Sequence, residues 1–178
     1  MKLAQTKYNF LIQQYKNNIY SYSLYMLHNK ADAEDVTQEM LIKIWKNVNC
    51  FNILSAKAWI IKSTHNLCVD CLRKRKAFSY KECSIDDYLS ESIMDCSSGN
   101  DPQNLTHIKM LTSRVKETIQ LLPEKLKSVF VLYEIQGLRY KEISKVLDMP
   151  INSVKVYLFR ARKQLQKELK CYEEHEIV

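Results

Sequence analysis

Along most of the chain apolar residues recur every three or four positions, the period of a helix with one buried face. Phe10, Leu11, Tyr15, Ile19, Tyr22, Tyr25 and Met26 follow that spacing and predict a helix over residues 8–28, ended by His28-Asn29-Lys30. Asp32 is the expected N-cap of a second helix, with Asp35 in the reciprocal capping position. In that helix Val36, Met40, Ile44 and Val48 repeat every fourth residue. An irregular stretch at 47–54 follows. Ser55 then opens a long helix to about Lys76, with Trp59, Ile60, Leu67, Val69 and Leu72 as its apolar positions.

The periodicity stops beyond Phe78. Residues 84–102 are polar and acidic, end in Ser-Ser-Gly-Asn-Asp-Pro, and read as a linker without a packed core of its own. It returns in a helix over 105–122. Pro123 is expected as the first-turn proline of the next helix, which buries Leu126, Val129, Phe130 and Tyr133. That helix ends at Gln136, where Gly137 suits a left-handed C-cap. Two helices close the pattern: Tyr140–Leu147, then, after Asp148-Met149-Pro150-Ile151, one capped by Asn152 or Ser153 and running to about Lys170. A short helix, a tight turn and a longer basic helix form a helix-turn-helix pattern.

Composition narrows the fold class. Two glycines and three prolines in 178 residues are too few for the turns of an all-β protein. An all-α architecture of two small helical domains is expected, at 1–77 and 109–170, joined by an acidic linker at 78–108 and followed by a tail at 171–178. So few glycines also leave no room for a Gly-rich phosphate loop, which removes the common nucleotide-binding enzymes. No apolar run approaches the roughly 18 residues that span a bilayer, and the first residues lack a signal-peptide core. The expectation is a cytoplasmic protein without membrane insertion, its six cysteines reduced.

Charge adds a partner class. The net charge is +7, but it is unevenly spread: residues 1–77 carry twelve basic and five acidic groups, 78–108 one and six, and 109–170 fourteen and six. Two basic blocks around an acidic one suit two modules that face nucleic acid. On the last helix Val154, Leu158, Ala161, Leu165 and Leu169 share an arc of about 80° and form the core face. Ser153, Val156, Tyr157, Arg160, Lys163, Gln164 and Lys167 lie opposite, a face suited to the major groove; the plainer reading is a solvated basic face.

Other constellations are weaker. Four carboxylates fall within residues 32–39. They suit a helix N-terminus, where the dipole favours acids, or an acidic docking face at Asp35, Gln38 and Glu39 bordered by Leu41 and Trp45. A metal or acid–base site would need convergent partners, and none is identifiable. Asn66, Asp70 and Arg73 lie along one line of the third helix, leading into the basic run 73–76. Cys68 and Cys71 form C-x-x-C, but inside a helix and without a second pair; small core residues are the simpler reading. The four histidines show no metal spacing, and no cofactor is expected.

Three stretches together resemble one family. "DAEDVTQEMLIKIWKN" (32–47), "AWIIKSTHNLCVDCLRKRK" (58–76) and "LPEKLKSVFVLYEIQGLRYKEISKVLDMPINSVKVYLFRARKQL" (122–165) are similar, in order and spacing, to signature stretches of bacterial extracytoplasmic-function (ECF) sigma factors. The resemblance implies a non-enzymatic specificity subunit of RNA polymerase. It implies that Asp35, Gln38, Glu39, Leu41 and Trp45 dock on the polymerase clamp helices, and that Asn52, Lys62, Asn66, Asp70 and Arg73 read and open the minus-ten promoter element. It further implies that Ser153, Lys155, Val156, Tyr157, Phe159, Arg160 and Lys163 read the minus-thirty-five element, in a module that also touches the polymerase flap. Partners so implied are core RNA polymerase and promoter DNA, with an anti-sigma factor as a further expectation. The acidic connector would run through polymerase channels otherwise filled by nucleic acid.

The chain departs from the family pattern at three points. Asp148 stands where Gly is frequent in the turn, Asn152-Ser153 where Gly-Thr is frequent, and Val156-Tyr157 where Ser-Arg is frequent. The last change replaces two polar readers with an apolar and an aromatic side chain. Two rival readings stay in view: a stand-alone helix-turn-helix regulator, and a redox protein built on Cys68 and Cys71.

Overall fold

The computed structural model describes residues 2–50, 53–81 and 113–175. Every regular element among them is helical. The first half holds α1 (Lys2–Leu27), α2 (Lys30–Asn47) and α3 (Ile53–Lys81). The second holds α4 (113–120), α5 (Glu124–Phe130), continued by a π-helical turn over Val131–Ile135, then α6 (Tyr140–Val146) and α7 (Ile151–His175). The expected linker at 84–102, Asn52, and the start of the helix expected at 105–122 lie outside the described residues.

Caps account for most differences from the expected boundaries. Asn29, not Asp32, caps α2: its backbone is extended and its side-chain oxygen accepts the Asp32 N–H at 3.0 Å. The helix therefore starts at Lys30, and Asp32 falls in its first turn. Asn competes well as an N-cap because its carbonyl mimics a missing helical acceptor. Pro123 is likewise the N-cap of α5, not its first residue. At α7 neither Asn152 nor Ser153 caps. The helix begins at Ile151, and the Pro150 carbonyl accepts from Val154 N at 3.2 Å. Both α1 and α3 are longer than the apolar period predicts.

Of the three described residues with positive φ, His28 (50°) follows α1, and Gly137 and Asp148 follow residue chemistry. Gly137 has φ of 64°, which lets Leu138 turn back and donate to the Leu132 carbonyl at 3.0 Å. Asp148 takes φ of 49° between α6 and α7, a conformation in which Asp is better tolerated than most non-glycine residues.

The expected core positions are buried: Leu11, Ile19, Tyr22 and Met26 on α1, Val36, Met40 and Ile44 on α2, and Val154, Leu158, Ala161 and Leu165 on α7. Phe10 is 49% exposed, and Tyr25, Trp59, Leu72, Leu126, Phe130, Tyr133 and Leu169 are only partly buried. Most buried hydroxyls return to their own helix, while Ser23 accepts from the Cys68 thiol of α3 at 3.6 Å. Thr37 donates to the Ala33 carbonyl, Thr64 to Ile60, Thr118 to Arg114 and Ser128 to Glu124, all within 2.7–2.8 Å. Among the described residues no buried side-chain nitrogen or oxygen lacks a partner.

The halves pack on each other. One continuous apolar cluster runs from Leu11 to Leu165 through both. Gln120 donates to the Tyr25 carbonyl at 2.8 Å, Gln136 donates to the Asn18 carbonyl at 3.1 Å, and buried Ser128 lies 3.9 Å from the Met26 sulfur.

Candidate nucleic-acid and docking surfaces

The outer face of α2 follows from its inner one. With Ala33, Val36, Thr37, Met40 and Ile44 turned inward, Asp35, Gln38 and Glu39 must point to solvent, and they do. Glu39 reaches Lys43 one turn on, at 3.3 Å. Trp45 is 46% exposed and rests edge-on against Tyr8 of α1, ring centroids 4.9 Å apart. Leu41 differs from the others: it is half-buried and packs against the core. Ile42 belongs to this strip although sequence reading passed it over. It is 52% exposed, four residues after Gln38 and three before Trp45. Its signal was there to find, since an isoleucine off the Val36–Met40–Ile44 period has no core to enter. An acidic and amide strip ending in exposed Ile and Trp can bind a partner surface that offers both cations and apolar contact.

On α3 the expected line divides. Asn66, Asp70 and Arg73 are exposed on one side, with Arg73 and Asp70 paired at 3.5 Å. Lys62 is instead drawn across to the second half, where its Nζ meets the Asp148 carboxylate at 2.6 Å. Lys57 does the same with Glu142 at 3.3 Å. The basic run also divides. Arg75 turns inward, donating to the Asp32 carboxylate and, at 2.9 Å, to the Leu27 carbonyl. It ties the start of α2 and the end of α1 to α3, while Arg73, Lys74 and Lys76 stay outside.

Cys68 and Cys71 differ in their surroundings. Both are free thiols. Cys68 is buried, donates to Ser23 Oγ at 3.6 Å, and burial pushes its thiol up to about 12. The reactive thiolate is therefore withheld near neutral pH. Burial also raises the Cys71 thiol, which lies 3.5 Å from Asp32. Among the described residues no group of three His, Cys, Asp or Glu could hold a metal ion.

Helix α7 keeps its outer strip clear. Lys155, Val156, Phe159, Arg160 and Lys163 are exposed, Phe159 at 68%. Among the described residues no carboxylate pairs with Lys155, Arg160 or Lys163. Ser153 and Tyr157 are half-buried, and Tyr157 packs against the core, so it flanks the strip instead of standing on it. Arg162 is used structurally: it clamps Glu134 through Nε at 3.0 Å and Nη2 at 2.6 Å, over the Tyr133 ring. Three unpaired cations around two exposed apolar side chains can meet phosphates and base edges together.

Comparison with known proteins agrees with this layout. Residues 11–78 match the family model "Sigma-70 region 2", and 112–165 match "Sigma-70, region 4". The ECF RNA polymerase sigma factor SigM of Bacillus subtilis is 30% identical over 157 residues, covering 88% of this chain and 91% of that protein. The ECF RNA polymerase sigma factor SigW of the same organism is 29% identical over 163 residues, covering 90% and 87%. Among solved structures, the sigma factor RpoE bound to the anti-sigma factor NepR from Bartonella quintana aligns with a TM-score of 0.75 at 20% identity, covering 91% of this chain and 96% of that one. CnrH in complex with the cytosolic domain of CnrY aligns at 0.65 and 18%, covering 94% and 90%. With a region 2 unit, a region 4 helix-turn-helix and relatives matched over nearly their whole length, the chain belongs to the ECF RNA polymerase sigma factors.

Proposed function

We propose that the chain binds core RNA polymerase and directs it to promoters through two separate readings of DNA. Residues 1–77 dock on the polymerase clamp through Asp35, Gln38, Glu39, Leu41 and Trp45, joined by Ile42. The same domain reads and opens the minus-ten element through Asn52, Lys62, Asn66, Asp70 and Arg73. Residues 109–170 read the minus-thirty-five element with the outer strip of α7, Lys155, Val156, Phe159, Arg160 and Lys163, flanked by Ser153 and Tyr157, and touch the polymerase flap. Residues 78–108 connect the two, with 78–81 still in α3, and of the expected tail 171–178 residues 171–175 continue α7 past the helix end expected at Lys170. The work is done in the cytoplasm, where core polymerase and promoters are, and no described helix is long and apolar enough to cross a membrane. An anti-sigma factor is a fitting regulator, as the solved sigma factor RpoE above is in complex with one.

The carrying observation is the unpaired cationic strip of α7 on a helix-turn-helix, in the same chain as a separate exposed docking strip on α2. A stand-alone regulator needs only the first. The test is transcription in vitro with core polymerase on a pool of random promoters, beside a gel shift with and without core. Transcripts that start at a shared pair of elements, only when this chain is added, are the expected result. Tight duplex binding without core, and no transcripts with it, would support the regulator instead.

A further inference from the structure

The corner that joins α1 to α2 is two residues long, His28 and Asn29. His28 holds a left-handed φ of 50°, and Asn29 caps α2 through the Asp32 N–H. A strained corner of this kind persists when its surroundings fix it from outside. Arg75 of α3 does so at both ends. Its Nη1 donates to the Leu27 carbonyl at 2.9 Å, at the end of a helix with no basic side chain in its own last turn. Its Nη2 donates to the Asp32 carboxylate in the first turn of α2, and the Cys71 thiol, one turn earlier on α3, lies 3.5 Å from the same oxygen. Of the four carboxylates within 32–39, Asp32 thus turns to α3, while Glu34, Asp35 and Glu39 are exposed.

We propose that Arg75 is a positioning residue for promoter opening: by holding Leu27 and Asp32 together it fixes the line Asn66, Asp70 and Arg73 of α3 against the docking strip of α2. This rests on reading α2 as the polymerase-docking helix and α3 as the minus-ten helix. Asp32 stands one turn before Asp35 and two before Glu39, on the helix that the polymerase holds. Arg75 stands two positions after Arg73, on the helix that meets the DNA, but faces inward. Both ends of the link adjoin a working surface, and neither is part of one.

Opening a duplex costs unstacking and unpairing, and a protein recovers that cost only through contacts that meet the separated strand in one geometry. The polymerase fixes α2. A loosened α3 lets the contacts to DNA slacken and leaves docking intact, because Asp35, Gln38 and Glu39 sit on α2 itself. A guanidinium suits this post better than an ammonium. It is planar and forked, so acceptors from two helices set its plane and it in turn sets their separation, whereas lysine offers a point charge. The plainer role for Arg75, as one of four cations in the run 73–76 that attract phosphate, predicts the opposite response to loss of Asp32. Without that carboxylate the local positive charge rises and DNA binding strengthens. Under the positioning role, opening weakens.

The test uses the full chain with core polymerase, on a promoter that wild type selects from a random pool. The yield of initial transcripts is measured on that promoter fully paired, and on the same promoter premelted by mismatches across the minus-ten element. Core affinity and melting temperature are measured beside it. Asp32→Ala and Arg75→Met should bind core within about twofold of wild type. On the paired promoter both should lose about tenfold or more in transcripts, and the premelted promoter should restore most of the loss. Arg75→Lys, which keeps the charge and loses the fork, should fall between Arg75→Met and wild type. Asp32→Ala leaves the Asn29 cap in place, since that cap uses the Asp32 backbone, and it carries the comparison should Arg75→Met not fold. An equal loss on both templates, a loss of core affinity that matches the loss of transcripts, or a rise in opening for Asp32→Ala would overturn the proposal. Wild type separates the two failures. If it gives promoter-directed transcripts, any of these outcomes removes the positioning role alone, whereas no transcripts at all removes the sigma reading and the positioning role with it.

Discussion

The Tyr22 hydroxyl and His65 Nδ1 lie 2.8 Å apart between α1 and α3, where α5 of the second half closes over them with Ser128 and Glu124. Burial dominates both groups. It raises Tyr22 well above its usual range, with nearby Cys68 adding to the rise and Ser128 opposing it, and it lowers His65 despite the partial opposition of Glu124. A protonated phenol and a neutral imidazole are thus the paired forms, joined by one hydrogen bond.

That pairing predicts a pH dependence of stability. His65 titrates lower in the folded chain than its usual 6.5, so the unfolded chain takes up the proton first as pH falls. The stabilisation is complete above about 6.5 and is lost as pH drops below it, by at most about 1.4 kcal/mol per pH unit for one proton. His65→Gln keeps a hydrogen-bond acceptor for Tyr22 and removes the titration. Between about pH 7.5 and 5.5 the melting temperature of wild type should fall more steeply than that of the variant. Parallel curves would place the sensitive group elsewhere.

Gly137 offers a purely backbone prediction. A Cβ there would meet nothing within 4 Å, so the cost of Gly137→Ala comes only from its φ of 64°. That cost is about 1–2 kcal/mol. Gly137→Asn, which tolerates the left-handed region, should recover much of it. Chemical denaturation of the three proteins checks the order Gly, Asn, Ala.

The fold was legible because its buried faces repeat. Met40, Ile44, Val154, Leu158 and Leu165 were expected in the core from their spacing, and all are buried. Capping was less legible, since Asn29 and Asp32 are both good cap residues and only backbone geometry chooses between them. The π-helical turn at Val131–Ile135 left no trace in the apolar pattern, and nothing in the structure explains it. Exposure was legible where it follows from helical phase, as for Asp35, Gln38 and Arg160. They were not legible where a side chain's partner lies far along the chain. Lys62 and Asp148 are 86 residues apart, and no local rule joins them. Arg75 looks like its neighbours Arg73 and Lys74 in sequence, yet it alone of the three is tied inward, to Asp32 and Leu27.

Docking on α2 should separate from folding. Gln38 is exposed and Ile42 is 52% exposed, so replacing either with Ala removes little buried area. Melting temperature should stay within about 2 °C of wild type, whereas a hot-spot residue would cost roughly 2 kcal/mol of core-polymerase affinity, near thirtyfold. Val36→Ala, on the buried face of the same helix, should reverse the pattern by lowering stability. Affinity measured by competition for core polymerase settles this, and unchanged affinity in both surface variants would remove the strip from the interface.

On the proposed reading, Arg160 is the residue to test for how α7 reads DNA. It stands in the middle of the exposed strip, one turn after Val156 and beside Phe159. No described carboxylate pairs with it, unlike Arg162 two positions on, which Glu134 holds at 2.6 Å. A free guanidinium can bind a guanine edge bidentately or hold a phosphate. Val156 has no polar atom and offers only apolar contact, for instance to a thymine methyl, and half-buried Tyr157 has limited reach. Specificity at the minus-thirty-five element should therefore fall mainly to Arg160 and Lys155. If Arg160 reads a base, Arg160→Ala costs about 1–3 kcal/mol on the preferred element and relaxes preference at one base position. If it holds phosphate, binding weakens evenly across sequences and the salt dependence falls by about one counterion. Titrating a set of single-base variants with holoenzyme at two salt concentrations separates the two roles. An Arg160→Ala protein that matches wild type on both axes would take Arg160 out of the interface and leave the strip of α7 a solvated basic face.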